Sequence, residues 1–221
     1  MKSVALIAEG VTDQLILDAV LQAYFRGDGC YVVGLQPLLD FTDRKVEGAQ
    51  GGWGHVFRYC DCADKIMDAL AFNDVVVIQI DTDICQEYGV SHTGEEDCEH
   101  MISIVTDLLH QRLLSAGIDE RTIHERVICA VCINSIECWL LPFYLLDKKR
   151  AKTSNCAGTL NRQLTKSGVG FYIDEDNKLF EVYEELVKPI QREKHLATQS
   201  KENCSLGRFV EILDSTEVLH S

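Results

Sequence analysis

Four short apolar runs, each ended by a polar or acidic residue, alternate with longer amphipathic segments over the first 146 residues of the chain. They cover residues 3–8, 31–35, 74–80 and 126–133. Continuous apolar runs of this length are typical of strands that are buried on both faces of a sheet. Strands that alternate with helices favour a parallel sheet with helices on both sides. We therefore expect an α/β protein with a three-layer α/β/α architecture and a mainly parallel four-stranded sheet.

The segments between and after these runs have the apolar spacing of helices. A first helix is expected after Thr12, and others over residues 55–71, over residues 96–116 and from Ser135 onward. Pro142 is expected to kink the last of these helices. Past residue 147 the pattern changes to a basic loop and two short helices near 176–194 and 205–213. Residues 1–146 are therefore expected to form the α/β domain, with residues 147–221 as a helical extension packed on it.

The net negative charge of the chain limits how it can bind nucleic acid or membranes. It has 35 acidic and 21 basic residues, for a formal net charge of −14. Such a field repels phosphate at long range, so binding to nucleic acid would need a local basic surface or bound metal ions. No stretch has the roughly 20 apolar residues that cross a bilayer, and the apolar start is too short for a secretory signal. We expect a cytoplasmic protein with no membrane contact.

The ten cysteines are expected to be reduced thiols that act as small apolar side chains. The close pairs in sequence are Cys60 with Cys62 and Cys129 with Cys132, and the second pair lies inside the fourth apolar run. Residues three apart on a strand face opposite sides of the sheet, so this pair cannot bind one zinc ion.

Acidic and polar residues follow three of the four predicted strands. Glu9 follows the first, Asp81 and Asp83 end the third, and Ser135 and Glu137 follow the fourth. Asp13 lies in the first turn of the helix after Glu9. Because the carboxyl ends of parallel strands meet at one edge of a sheet, these side chains are expected to converge there.

Converging carboxylates would repel one another strongly. Two like charges ~4 Å apart cost about 4 kcal/mol at an effective dielectric constant near 20. Such a group would bind protons or hard divalent cations, and oxygen ligands favour Mg²⁺ or Mn²⁺. Two such ions can activate water and stabilise the leaving oxygen of a phosphodiester. Each acid taken alone is equally typical of a helix cap or turn, so the metal site depends on their convergence.

The motif Glu9-Gly10-Val11-Thr12-Asp13, together with Asp81-Thr82-Asp83, resembles the Toprim domain of topoisomerases, primases and certain nucleases. The segment Ser135-Ile136-Glu137-Cys138-Trp139-Leu140-Leu141 is similar to a motif of small stand-alone Toprim-like proteins related to the nuclease domain of the overcoming-lysogenization-defect family. The resemblance spans roughly residues 3–146.

This resemblance implies a Toprim-type fold and a particular set of site residues. Two Mg²⁺ or Mn²⁺ ions would be bound by five carboxylates with Ser135 assisting: Glu9, Asp13, Asp81, Asp83 and Glu137. The related nucleases also place a lysine near the metals, for which Lys201 is the first candidate and Lys194 the second. The catalytic residues expected on this basis are Glu9, Asp81, Asp83 and Lys201.

The function expected from these features is metal-dependent hydrolysis of nucleic acid, with a role in defence against phage. A locally basic stretch could contact the phosphate backbone or be a solvated loop, and contains Lys148, Lys149, Arg150, Lys152, Arg162 and Lys166. Two alternatives stay open. One is a non-catalytic module that binds a partner such as an ATPase, because related nucleases carry an ATPase domain and this chain has no P-loop. The other is a phosphatase with Asp81 as nucleophile.

Overall fold

A four-stranded parallel sheet lies at the centre of the computed structural model, which describes residues 1–38, 51–91, 97–192 and 196–221. Its strands are β1 (Lys2–Ile7), β2 (Cys30–Gln36), β3 (Val75–Asp81) and β4 (Val127–Cys132). They lie in the order β2-β1-β3-β4, and every neighbouring pair is parallel. The predicted α/β architecture with a parallel four-stranded sheet is therefore confirmed.

The helices of the described residues follow the predicted pattern with some differences. They are α1 (Val11–Tyr24), α2 (Trp53–Cys60), α3 (Ala63–Phe72), α4 (Cys98–Ala116), α5 (Glu120–Arg126), α6 (Leu141–Tyr144), α7 (Cys156–Lys166), α8 (Phe180–Arg192), α9 (Leu196–Gln199) and α10 (Cys204–Ser215). The single helix predicted over 55–71 was wrong. Cys62 has extended backbone angles (φ −116°, ψ 95°), which separate α2 from α3.

The expected kink at Pro142 does not occur. Ile136–Leu140 forms a 3-10 helix, and Pro142 lies in the first turn of the separate helix α6. A proline in the first helical turn removes no intrahelical hydrogen bond, so it is tolerated there without bending a longer helix.

Alternating side chains of the strands build two apolar layers, one on each face of the sheet. One face carries residues such as Ala5 and Ile78 and packs against α2, α3, α4 and α5. The other carries residues such as Leu6 and Val77 and packs against α1, α7, α8 and α10. Cys129 and Cys132 belong to opposite layers, as the strand periodicity predicts. Helices on both sides of the sheet make the fold a three-layer α/β/α structure.

Residues after 146 complete the layer that begins with α1. Leu160, Tyr183 and Phe209 are buried in it together with residues of β1 and β3. The indole of Trp139 stacks on Phe209 at a ring distance of 5.2 Å, and its N–H donates to Ser205 Oγ at 2.9 Å. This layer is therefore assembled from both ends of the sequence.

The prediction that all ten cysteines are reduced was wrong for four of them. Two disulfide bonds join Cys98 to Cys204 and Cys138 to Cys156. The other six are not in disulfide bonds. The first pair is separated by 106 residues, so it is brought together by the packing of α4 and α10 and not by local spacing. In the part of the chain that the structure describes, no helix combines the length and the apolar character needed to span a membrane.

Candidate functional site

The ends of β1 and β3 bring Glu9 and Asp81 side by side. The strands are parallel neighbours, and Glu9 follows β1 by two residues, so its carboxylate reaches across to the last residue of β3. Glu9 Oε1 accepts a hydrogen bond of 2.7 Å from the backbone N–H of Asp81. The predicted convergence of these two strand ends is therefore observed.

Gln79 is the residue that fixes this pair, and the sequence reasoning missed it. Its side chain is completely buried within β3. Its Oε1 accepts from the backbone N–H of Glu9 at 3.0 Å, and its Nε2 donates to Asp81 Oδ1 at 2.7 Å. The sequence feature that could have identified it is the single amide side chain in a strand, VVVIQID, that is otherwise apolar up to its final aspartate. A buried amide needs hydrogen-bond partners. Gln79 finds them in the backbone of Glu9 and the carboxylate of Asp81, and so fixes the two residues relative to each other.

Asp13 lies in the first turn of α1 and is only 3% exposed. The Thr12 hydroxyl donates to its Oδ1 at 3.3 Å. A Cβ atom at Gly10 would lie 3.1 Å from Asp13 Oδ2, so glycine permits the close approach between the strand-to-helix turn and this carboxylate. The predicted position of Asp13 beside the strand ends is thus explained by local geometry.

Glu137 approaches from the 3-10 helix that follows β4, and it is 2% exposed. Its Oε1 accepts from Lys178 Nζ at 2.6 Å and from the Tyr183 hydroxyl at 2.5 Å. The Ser135 hydroxyl is also hydrogen-bonded to this carboxylate. Burial alone would raise the pKa of Glu137, but Lys178 outweighs it and lowers that pKa. Glu137 is therefore held as a buried, ionised carboxylate.

Asp83 lies at the exposed rim of the group. Its backbone N–H donates to the Asn134 carbonyl at 3.0 Å, which ties the turn after β3 to the turn after β4. Burial raises the pKa of Asp83, and the charge of Glu137 also raises it, whereas Lys178 lowers it. Asp83 therefore shares the electrostatic environment of the other acids while staying open to solvent.

The buried acids raise one another's pKa. Burial, opposed by the Asp81 N–H and assisted by the charges of Asp13 and Asp83, raises the pKa of Glu9 to about 7. Burial raises the pKa of Asp13 to about 6, against the pull of Lys178. The pKa of Asp81 is also raised well above its ordinary value, by burial and by the charges of Asp13 and Glu9. The cluster therefore carries more negative charge than its surroundings compensate.

Lys178 is the lysine that the structure brings to this cluster. It lies in the loop before α8, and 33% of its side chain is exposed. Burial would lower its pKa, but the charges of Glu137, Asp13 and Asp81 raise it instead. Nothing in the local sequence singles it out, because its position depends on how α8 packs against α1.

Lys201, the first lysine candidate from the sequence, does not lie in this cluster. Lys201 is exposed in the 3-10 turn Ser200–Glu202, and among the described residues no carboxylate of the cluster contacts it. Lys194 lies outside the described residues. The ammonium group of the site therefore comes from a different segment than the one predicted.

The side chains of the cluster suit a hard divalent cation in chemical type. Among the described residues, the Lys178 ammonium group interacts with four of the five carboxylates, those of Asp13, Asp81, Asp83 and Glu137. All the candidate ligand atoms are oxygens, which Mg²⁺ and Mn²⁺ prefer. As they lie, however, no three of the His, Cys, Asp and Glu residues described form a group that could hold a metal ion. The donor set fits Mg²⁺ or Mn²⁺, and binding would require the carboxylates to move closer together.

Because burial raises the pKa of Glu9 from an ordinary value of 4.5 to about 7, the metal-free protein is expected to lose stability as pH rises between these values. The folded state holds the proton more tightly than the unfolded chain, so this contribution is complete below 4.5 and lost by about 7. A shift of this size is worth about 3 kcal/mol. Urea unfolding at pH 4.5 and 7.5 with a chelator present should show it.

Two isosteric variants make this test specific. Glu9→Gln is expected to reduce the pH dependence of the free energy of unfolding, with the contributions of Asp13 and Asp81 remaining, whereas Glu87→Gln, on the exposed 3-10 turn after Asp83, should leave it unchanged. Identical pH profiles for the wild type and Glu9→Gln would contradict the assignment of the proton to Glu9.

The site was also compared with proteins of known family, function or structure. No protein-family model, no curated protein and no solved structure matches the chain. The Toprim resemblance therefore stays a prediction from its motifs, and the site must be interpreted from its own geometry.

Proposed function

We propose that this protein is a Mg²⁺- or Mn²⁺-dependent nuclease that hydrolyses phosphodiester bonds of nucleic acid. The observation that carries the proposal is the group of Glu9, Asp13, Asp81 and Glu137 at the carboxyl ends of the strands, beside Lys178, in which Glu9 is half-buried and the other three acids are buried. Strand ends of parallel sheets are where α/β proteins bind ligands. Buried acids with strongly perturbed pKa values are typical of sites that do chemistry.

Three of the carboxylates, Asp13, Asp81 and Asp83, would hold the metal ions. Asp13 and Asp81 are buried, Asp83 borders solvent, and Glu9 beside them is half-buried. When bound, such ions neutralise the charge of a phosphodiester and lower the pKa of water. Glu137 is already paired with Lys178, so its role is to orient that lysine.

Lys178 supplies a positive charge for the substrate. One of its three N–H donors binds Glu137, which leaves two that can bind a phosphate oxygen. Its partial exposure means that a substrate can reach the ammonium group without a change of fold. We expect Lys178 to stabilise the negative charge that develops on the phosphate during hydrolysis.

Glu9 is suited to accept a proton from the attacking water. A general base works best when its pKa lies near the working pH, and the pKa of Glu9 is about 7. The hydrogen bond from the backbone N–H of Asp81 holds this carboxylate in the site, and the bond from the backbone N–H of Glu9 to Gln79 fixes the main chain beside it. Proton acceptance by Glu9 and charge stabilisation by Lys178 are the two protein contributions we propose.

A plasmid-cleavage assay tests the proposal. Supercoiled DNA and a labelled RNA are incubated with the protein in Mg²⁺, Mn²⁺, Ca²⁺ or chelator. We expect cleavage in Mg²⁺ or Mn²⁺ alone, and none by an Asp81→Asn preparation purified in parallel, which controls for contaminating nucleases. Equal cleavage by both preparations, or none by the wild type, would refute the nuclease proposal.

One observation favours a second candidate, a non-catalytic module that binds a partner protein such as an ATPase. No three metal-binding side chains converge among the described residues, and Lys178 already neutralises part of the cluster. Calorimetric titration with Mn²⁺ separates the candidates: the nuclease should bind the ion and Asp81→Asn should not, whereas the module would give no heat with either.

The third alternative, a phosphatase with Asp81 as nucleophile, is less favoured because that side chain is buried and bound to Gln79.

The biological setting that we propose rests on the sequence motifs alone. The resemblance to overcoming-lysogenization-defect nucleases supports a role in defence against phage in the cytoplasm, with an ATPase as partner. The geometry of the cluster supports the chemistry of the reaction and not its setting.

A further inference from the structure

Two basic side chains converge on one buried hydroxyl group in the first turn of α7. Lys152 Nζ lies 3.1 Å from Thr159 Oγ1, and Arg162 Nη2 lies 3.0 Å from the same atom. Thr159 is 3% exposed, and its own proton is donated to the Asn155 carbonyl at 2.8 Å. The hydroxyl oxygen therefore accepts from both cations and holds their charges close together.

These two cations differ from Lys149 and Arg150 in having no carboxylate partner among the described residues, and from Lys148 and Lys166 in sharing one hydroxyl group. Lys149 pairs with Asp147, and Arg150 pairs with Glu202. Within the described part of the chain, neither Lys152 nor Arg162 forms an ion pair. Two like charges that share one hydroxyl repel each other, and an anion bound between them would remove that repulsion. In a chain with a net charge of −14, such an uncompensated positive pair is unusual.

The pair is attached directly to the segment that carries Glu137. The side-chain amide of Asn203 donates to the carbonyls of both Cys138 and Lys152, each at 3.4 Å. The disulfide between Cys138 and Cys156 joins the same 3-10 helix to the start of α7, which carries Thr159 and Arg162. The basic pair is thus held at a fixed position relative to the residue that follows Glu137.

We propose that Lys152 and Arg162, held together by the Thr159 hydroxyl, form a binding site for a backbone phosphate of the nucleic acid, next to the phosphate that is cleaved. This inference rests on the proposed nuclease function and adds where the substrate strand lies. The planar guanidinium of Arg162 can bind two phosphate oxygens, and Lys152 supplies a point charge beside it. Such contacts position the strand and carry no sequence preference.

Binding of a fluorescein-labelled oligonucleotide, measured by anisotropy in Ca²⁺ over a series of salt concentrations, tests the site. The variant Lys152→Gln/Arg162→Gln is compared with Lys65→Gln/Lys188→Gln, which removes the same charge from residues outside the basic stretch. We expect the first variant to bind more weakly and to lower the slope of log affinity against log salt by about 1–2, because each lost phosphate contact contributes about 0.7–0.9. The control variant should behave like the wild type.

The outcomes separate this inference from the nuclease proposal. Equal weakening by both double variants, or no weakening by either, would overturn the phosphate site even if the wild type cleaves DNA in Mn²⁺. If the wild type neither binds nor cleaves any oligonucleotide, both proposals fail. Calorimetry with inorganic phosphate distinguishes the source of the anion: binding of the free ion at Lys152 and Arg162 without binding of oligonucleotide would overturn the assignment to nucleic acid.

Discussion

Replacing Glu9 by Gln is expected to lower the rate of phosphodiester cleavage by about 10²–10⁴-fold, the range for loss of a general base. The amide oxygen can still accept from the Asp81 N–H, so the geometry at the ends of β1 and β3 should be kept. What is lost is the group that takes a proton near pH 7 and one negative charge facing the metal ions. Initial rates on plasmid DNA in Mn²⁺ at pH 7.5 measure the effect.

The same substitution should make the metal-free protein more stable at pH 7.5, because it removes a buried group that is costly to ionise. A variant that is both more stable and nearly inactive cannot have lost activity through unfolding. Glu87→Gln serves as the matched control and should keep the wild-type rate. If Glu9→Gln cleaves within about threefold of the wild type, below the range expected for a general base, Glu9 is not the proton acceptor.

Replacing Lys178 by Met is expected to lower the free energy of unfolding by about 3 kcal/mol, the lower end of the range for breaking one side of a buried ion pair. Glu137, which is 2% exposed, would keep its hydrogen bonds to Tyr183 and Ser135 but lose the only ammonium group that faces it among the described residues. We place the effect at the lower end because a third of the Lys178 side chain contacts solvent. Chemical denaturation at pH 7.5 measures it.

A double variant and an exposed pair make this result interpretable. Lys178→Met/Glu137→Gln should recover most of the lost stability, because the uncompensated charge is removed together with its partner. Lys188→Met breaks an exposed pair with Glu185 and should cost no more than about 0.5 kcal/mol. Equal costs for Lys178→Met and Lys188→Met would mean that Glu137 does not depend on Lys178.

The carboxylates could be predicted from the sequence because their positions follow from local rules. Glu9 and Asp81 end neighbouring parallel strands, and the ends of such strands meet at one edge whatever surrounds them. The sequence also predicted the helix that carries Asp13. Gln79 was recognisable in principle, because a buried amide within a Val/Ile strand must find hydrogen-bond partners.

Lys178 could not be predicted because no local pattern fixes it. It lies in a polar loop among several acids, and only the packing of α8 on α1 brings it to Glu137. The disulfides were missed for the same reason, since Cys98 and Cys204 meet through the packing of two helices that are distant in sequence. Strand ends are determined locally, whereas contacts between layers depend on the whole chain.

The apolar layer built from both ends of the sequence has a consequence for the order in which the molecule is made. All four strands have been synthesised once translation has passed residue 132, whereas Lys178 and α10 are synthesised later. The Val218 carbonyl, made later still, accepts a hydrogen bond of 2.8 Å from Lys2 Nζ in β1. A nascent chain therefore exposes Glu137 and its neighbouring acids without their ammonium partner. The carboxylate cluster can gain this partner only after translation has passed the loop that precedes α8.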